Sequence, residues 1–207
     1  MYTNILRRRG QGLLAALLLC PVTVCAQTAE DVLASAAAKL KSAGGIYAEY
    51  TYEATDDRGT GTFQYKGGKF VNDFGGQTIW YNGSTMWSMD KAYGEVTVTT
   101  PVQGAIATVN PYYFLTNYKN RYEASLSKGT TQAYEVSLNA KEDKGPQIVR
   151  LKVNKQTYAP EYIYMVLANG HALAISITAY ETGRKYAEGL FSYNESDHPE
   201  AVLVDLR

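Results

Sequence analysis

The sequence predicts a mainly β chain with helices, an α+β arrangement whose strands form one curved antiparallel sheet or open barrel. Three observations predict it. From Ile46 onward, apolar residues recur at period two almost to the C-terminus. Turn signals such as Gly67-Gly68, Asn82-Gly83, Lys128-Gly129 and Asn169-Gly170 cut these runs into short strands. Helical periodicity is confined to one N-terminal segment and one short mid-chain segment, too little for a strand-helix alternation and enough to cover one face of a sheet.

The first 26 residues stand apart from this pattern. Arg7, Arg8 and Arg9 precede an apolar run from Leu13 to Cys20, then Pro21 and the small-residue site Val24-Cys25-Ala26. That order is an export signal, and the run is shorter than the roughly 20 residues a membrane span needs. Leu19 before Cys20 and Val24 before Cys25 argue against a lipid-modified cysteine, which wants a small residue before it. Cleavage after Ala26 is expected to leave a single exported domain, 27–207. It also removes both cysteines, so the mature chain has no disulfide and no thiolate site. Lys plus Arg equals Asp plus Glu over the whole chain, 20 each, and losing the three arginines leaves an acidic excess. A nucleic-acid binder would show a clustered basic excess instead.

Each element has its own signal. "TAEDVLASAAAKLKSAGG" opens on a capping threonine, Thr28, and stops at Gly44-Gly45. Val32, Leu33, Ala36, Ala37 and Leu40 form its apolar stripe. "IYAEYTYEA" places Ile46, Ala48, Tyr50 and Tyr52 on one strand face. "TFQYKGGKFVNDF" gives two strands about Gly67-Gly68, carrying Phe63 and Phe70. "EVTVTTP" is a strand closed by Pro101, and Asn110-Pro111 caps a short helix with Tyr113 and Phe114. "RYEASLS", "AYEVSLNA", "IVRLKVN", "YIYMVLA" (with Met165), "ALAISITAY", "LFSY" and "AVLVDLR" read as further strands. The 18 tyrosines suit strands and surfaces that are apolar at one end and wet at the other.

The hairpin "IWYNGSTMWSMD" is the densest apolar stretch. With Asn82-Gly83 as central residues, Tyr81 faces Ser84, Trp80 faces Thr85 and Ile79 faces Met86. Thr78, Trp80, Thr85, Trp87 and Met89 then share one face, and Ile79, Tyr81, Met86 and Ser88 the other. Both faces are apolar, so the hairpin is either packed on both sides or partly lines a cavity.

No catalytic constellation accompanies this. His171 and His198 sit in turns without metal-ligand or hydrolytic spacing, and the acidic pairs Asp56-Asp57 and Glu142-Asp143 are turn charges rather than carboxylates facing across a cleft. No cofactor, metal site or enzymatic activity is expected, and a binding role rises accordingly.

Over essentially all of 27–207 the order and spacing of segments resemble the LolA family, the periplasmic carriers of outer-membrane lipoproteins. The residues that carry the likeness are the N-terminal helix and "IYAEYTYEA", then "GTGTFQYKGGKF", then "TIWYNGSTMWSMD" in place of an Asp-Gly-x-x-Leu-Trp hairpin. "NPYYFL", "YEVSLNA", "IVRLKVNK", "EYIYMVLANGHALAISITAY" and "VDLR" complete it. The resemblance implies an unclosed antiparallel β-barrel capped by helices, with an apolar cavity that shields lipoprotein acyl chains. It implies a cavity lined by Leu33 and Leu40 of the helix, Ala48 and Tyr50, Phe63 and Phe70, Trp80, Met86, Trp87 and Met89, Tyr113 and Phe114, and Met165. It implies as partners an inner-membrane ABC-type lipoprotein-releasing complex and an outer-membrane acceptor lipoprotein, met as a monomer. The family's lid arginine has no counterpart here; Lys66, before Gly67-Gly68, is the candidate lid contact. A related lipid-binding or envelope-sensing module without carrier activity is the alternative.

Overall fold

The computed structural model describes residues 27–142 and 145–207; the expected export signal with its expected cleavage site, and Asp143-Lys144, lie outside them. Helix α1 (Ala29–Ser42) starts where expected. The Thr28 hydroxyl accepts from the Asp31 amide while Asp31 accepts back from the Thr28 amide, a reciprocal cap that satisfies two otherwise free donors. Val32, Leu33, Ala36 and Leu40 are buried. Among the described residues no helix is long and apolar enough to cross a membrane.

The strands form one twelve-stranded unclosed sheet made of two meanders. The first runs β1 (Ile46–Ala54), β2 (Arg58–Lys66), β3 (Lys69–Phe74), β4 (Gln77–Tyr81), β5 (Met86–Asp90) and β6 (Glu95–Thr99). Two short helices, α2 (Gln103–Val109) and α3 (Tyr113–Asn117), carry the chain across. The second meander runs β7 (Tyr122–Ser127), β8 (Ala133–Ala140), β9 (Ile148–Asn154), β10 (Pro160–Val166) and β11 (Ala172–Thr182). Pairing of β11 with β1 joins the two, leaving β7 at one edge.

That junction carries a β-bulge between Glu49 and Tyr50. Ala48 pairs with Tyr180, but Tyr50 pairs with Ile177. One extra residue on β11 resets the alternation there, so Tyr180 and Ile177, three apart, both reach the inner face. Strict alternation would have sent one of them out.

The hairpin register differs from expectation by two residues. Gly83 and Ser84 are the central pair, closed by a bond from the Asn82 amide to the Thr85 carbonyl, and Tyr81 pairs with Met86 and Trp80 with Trp87. Asn82 caps the turn instead, its side-chain oxygen accepting from the Ser84 and Thr85 amides, and Gly83 takes the positive φ of 104°. A slip of two leaves every side chain on its expected face, whereas a slip of one would have reversed them all.

Two further expectations are corrected. The segment "LFSY" is not a strand but begins in a 3₁₀ turn (Glu188–Phe191), because it lies against β3, whose two sides are already paired with β2 and β4. The terminal strand β12 (Val202–Asp205) runs parallel to β6, not antiparallel. The chain from Gly183 crosses the outer face before reaching that edge and enters it in the same sense as β11, which is also the sense of β6.

The sheet therefore separates two packed layers. Its inner face and helices α1 to α3 share the main core, from Leu33 and Ile46 through Phe63, Phe70 and Phe114 to Met165. On its outer face the C-terminal segment lies across β3 to β6. Trp80 meets the rings of Tyr193 and His198 at 5.6 and 5.8 Å, and Phe191, fully buried, meets Tyr186 edge-on. Lys66 and Lys69 both bridge to Glu188 in this segment. Those two ammonium groups, Lys69 first, hold the Glu188 carboxyl below its ordinary range.

Phe191→Ala is expected to cost about 3–5 kcal/mol in denaturant unfolding, the usual penalty for emptying a buried phenylalanine site. Tryptophan emission should shift to longer wavelength while amide exchange in α1 stays unchanged. An unchanged spectrum would mean the segment does not cover Trp80.

Candidate functional site

The inner face gathers most of the residues expected there. Leu33, Leu40, Ala48, Tyr50, Phe63, Phe70, Tyr113, Phe114 and Met165 are buried in one cluster, and Met86 packs against it. Trp80, Trp87 and Met89 do not join them: they pair across β4, β5 and β6 with outward-facing Val98, Val96 and Thr78. Alternation fixes which hairpin residues travel together, but not which side faces the helices.

Most of this interior is filled. Tyr112 inserts its ring among Phe63, Tyr65 and Tyr180, with centroids 5.2 to 6.3 Å away. An apolar cavity of about 310 Å³ remains at one end, where β1, β3 and β11 meet the last turn of α2. Tyr50, Tyr52, Phe74, Leu173 and Ile175 make its walls, Val109 and Pro111 its roof, and Thr55, Asp56, Asp57 and His171 its open mouth. Of the residues expected to line a cavity, only Tyr50 borders this space. A second hollow of about 330 Å³ lies on the outer face of β8 to β10. Arg150 and Lys152 line it, so it lacks the apolar walls of the first.

The roof is tied to the sheet by a buried polar relay. The Tyr50 hydroxyl donates to the Asn72 side-chain oxygen at 2.6 Å, and the Asn72 amide donates to the Val109 carbonyl at 2.9 Å. Asn72 is one of three buried polar residues among those described. The relay depends on Gly61, where any Cβ would collide with the Tyr50 ring and hydroxyl. Asn110 continues it, its side-chain oxygen accepting from the Tyr112 amide at 2.9 Å. Lys66 is not part of it: its ammonium reaches the Tyr186 carbonyl and Glu188, on the outer side of the sheet. The tie between sheet and α2 is made by Asn72, an uncharged group that can be buried without a counter-ion.

The covering helices fit imperfectly. The hydroxyls of Tyr112, Tyr113 and Tyr118 are buried without a hydrogen-bond partner. Each such group costs about 1–3 kcal/mol relative to a satisfied one. Burial holds the Tyr50 and Tyr112 hydroxyls well above their ordinary range, and burial together with the neighbouring Tyr65 pushes Tyr180 up to about 12. Among the described residues no three His, Asp or Glu side chains converge as a metal site would require.

Fold and site together define an unclosed sheet whose apolar inner face is roofed by short helices rather than a closed barrel. The chain belongs to the outer membrane lipoprotein carrier protein LolA family, whose model matches residues 19–170. No curated protein matches it. Among solved structures it is similar to an uncharacterized conserved protein from Thermus thermophilus, with 9% identity and a TM-score of 0.60 over 86% of this chain and 98% of that one. It also matches a LolA superfamily protein from Nitrosomonas europaea, with 13% identity and a TM-score of 0.43 over 81% and 99%. The MucA/MucB complex of Pseudomonas aeruginosa matches with 15% identity and a TM-score of 0.42 over 80% and 61%.

Two outcomes are expected. Asn72→Ala strands the Tyr50 hydroxyl and the Val109 carbonyl, so amide exchange across α2 should accelerate, whereas Lys66→Ala leaves it near the wild-type rate; the reverse order would return the latch to Lys66. The raised value of Tyr180 makes its contribution to stability complete below pH 10.0 and lost as the pH rises through about 12. A spectrophotometric titration should show a late tyrosine step coincident with unfolding, and a single step near pH 10 would contradict it.

Proposed function

We propose that this protein is a periplasmic carrier that holds lipoprotein acyl chains in its inner apolar space on their way from the inner to the outer membrane. The observation that carries the reading is the apolar cavity roofed by α2, open to solvent beside a filled but imperfectly satisfied interior. Membership of the LolA family supports it. A donor of the inner-membrane ABC-type releasing class and an outer-membrane acceptor lipoprotein are the partners this reading requires. The role is binding rather than catalysis.

Energetics favour a roof that moves. An acyl chain of about 16 methylenes gains on the order of 12 kcal/mol gross when fully buried. A cavity of about 310 Å³ stands at the low end of ligand pockets, which run from about 300 to 1,000 Å³, so several chains enter only if α2 and Tyr112 withdraw. Withdrawal breaks the Asn72 relay and exposes apolar wall, which reduces the net gain and lets cargo leave. The orphaned tyrosine hydroxyls lower the cost of opening, because they regain water.

The same cavity size favours a second reading, a smaller lipid bound by a module that transfers no lipoprotein. Secreting the mature protein beside a lipoprotein separates the two. The carrier keeps that lipoprotein soluble and yields it to outer membranes, whereas the alternative retains only free lipid.

Leu173→Trp, which fills the cavity from β11, is expected to lower lipoprotein loading at least tenfold, while Trp80→Ala on the outer face leaves loading largely intact. Equal effects of the two, measured by co-purification, would contradict the assignment of the inner face.

A further inference from the structure

The C-terminal segment covers only half of the outer face. No residue of that segment borders the hollow of about 330 Å³ over β8 to β10. Strand alternation fixes what does border it. Tyr164, Arg150 and Ser137 stand side by side across β10, β9 and β8. Tyr162, Lys152 and Glu135 form the next row, with Ser127 of β7 beyond Glu135. The residues between them along the strands, Val149, Leu151, Val153 and Ile163, are buried in the core, so both rows are held outward.

The two rows differ in charge. Lys152 reaches Glu135 at 3.8 Å and lies over the Tyr162 ring at 5.5 Å, so that row is internally balanced. Arg150 has no equivalent. Among the described residues it makes no hydrogen bond, ion pair or ring contact, and the one carboxylate bordering the hollow is engaged by Lys152. Its cross-strand neighbours each bring a hydroxyl, from Tyr164 on one side and Ser137 on the other.

A guanidinium is a flat fork of donors that matches the paired oxygens of a carboxylate or phosphate. The hydroxyls around it both donate and accept, which suits a ligand rich in hydroxyls, and the two tyrosine rings offer flat surface for a sugar ring to rest on. Val136 and Leu151 also border the hollow but are buried, so no apolar wall is present for an alkyl chain. The volume stands at the low end of ligand pockets, about 300 to 1,000 Å³, enough for a short saccharide.

We infer that this outer hollow is a second binding site, for a saccharide that carries a carboxylate or phosphate group. Arg150 holds the acid group, and Ser137 and Tyr164 bond the neighbouring hydroxyls. The inference stands apart from the carrier reading, because the site lies across the sheet from the inner apolar space.

The test is an amide NMR titration of the exported protein with glucuronate, glucose 6-phosphate, glucose and inorganic phosphate. The two sugar acids should shift residues of β8 to β10 and bind roughly tenfold more tightly than glucose or inorganic phosphate, the advantage over glucose shrinking as salt rises. Arg150→Gln should weaken both sugar acids about tenfold, and Arg150→Lys, which keeps the charge but not the fork, should recover only part of the loss. Neither variant should alter lipoprotein loading. Equal binding of glucose overturns the acid group as the feature recognised, and inorganic phosphate binding as tightly as the sugar acids overturns the saccharide. Absence of any shift, or shifts unchanged by Arg150→Gln, overturns the site. Arg150-dependent sedimentation with phosphatidylglycerol vesicles, without binding of either sugar acid, overturns the saccharide in favour of a lipid headgroup.

Discussion

The pairing of β1 with β11 is the constraint on which the rest depends. Each meander folds from neighbours in sequence, but neither alone has a face that closes around α1. Joining residues 46–54 to 173–182 brings Tyr50 and Tyr52 beside Ile177 and Ile175, and this seam supplies both the floor of the core and the walls of its cavity. Forming it requires a long loop to close before any contact rewards it, so it is the step most exposed to failure during folding. The bulge at Glu49/Tyr50 adds twist there and turns Tyr180 inward to meet Tyr112.

Around that seam the polar groups are arranged unevenly. One amide, Asn72, satisfies a hydroxyl on the sheet and a carbonyl at the end of α2, while three tyrosine hydroxyls in the neighbouring helical segment go unmatched. A core optimised only for stability would satisfy all of them or replace them with phenylalanine. Here the covering layer is held at one strong point and left poor elsewhere, which makes it the part of the molecule least costly to displace.

Much of the fold is legible in the sequence, because period two and turn dipeptides are local signals. Helix α1 announces itself through Thr28 and Gly44-Gly45, and β1 through the alternation of Ile46, Ala48, Tyr50 and Tyr52. The features that stay hidden are those set by distant partners. Nothing near Thr178 marks a bulge, "LFSY" has the composition of a strand but lies over strands already paired, and β12 gains its direction from a crossing of the outer face. The site divides in the same way. Tyr50 is found because its own strand is amphipathic; Leu173, Ile175 and the Thr55 to Asp57 turn are missed because only the β1–β11 seam brings them together. Trp80, Trp87 and Met89 are correctly grouped and assigned to the wrong side, since alternation is blind to which layer lies where. The helix α2 segment, with one glycine and no charge, offered neither a cap nor a stripe to read.

Consecutive codons along β4 and β5 specify unrelated surroundings. Ile79 and Tyr81 belong to the interior, Thr78 and Trp80 to an exterior seam, and the backbone between them is shared. Replacements at one parity can therefore accumulate without disturbing the other. A lineage can remodel the hollow of this molecule while its exterior coat is inherited unchanged.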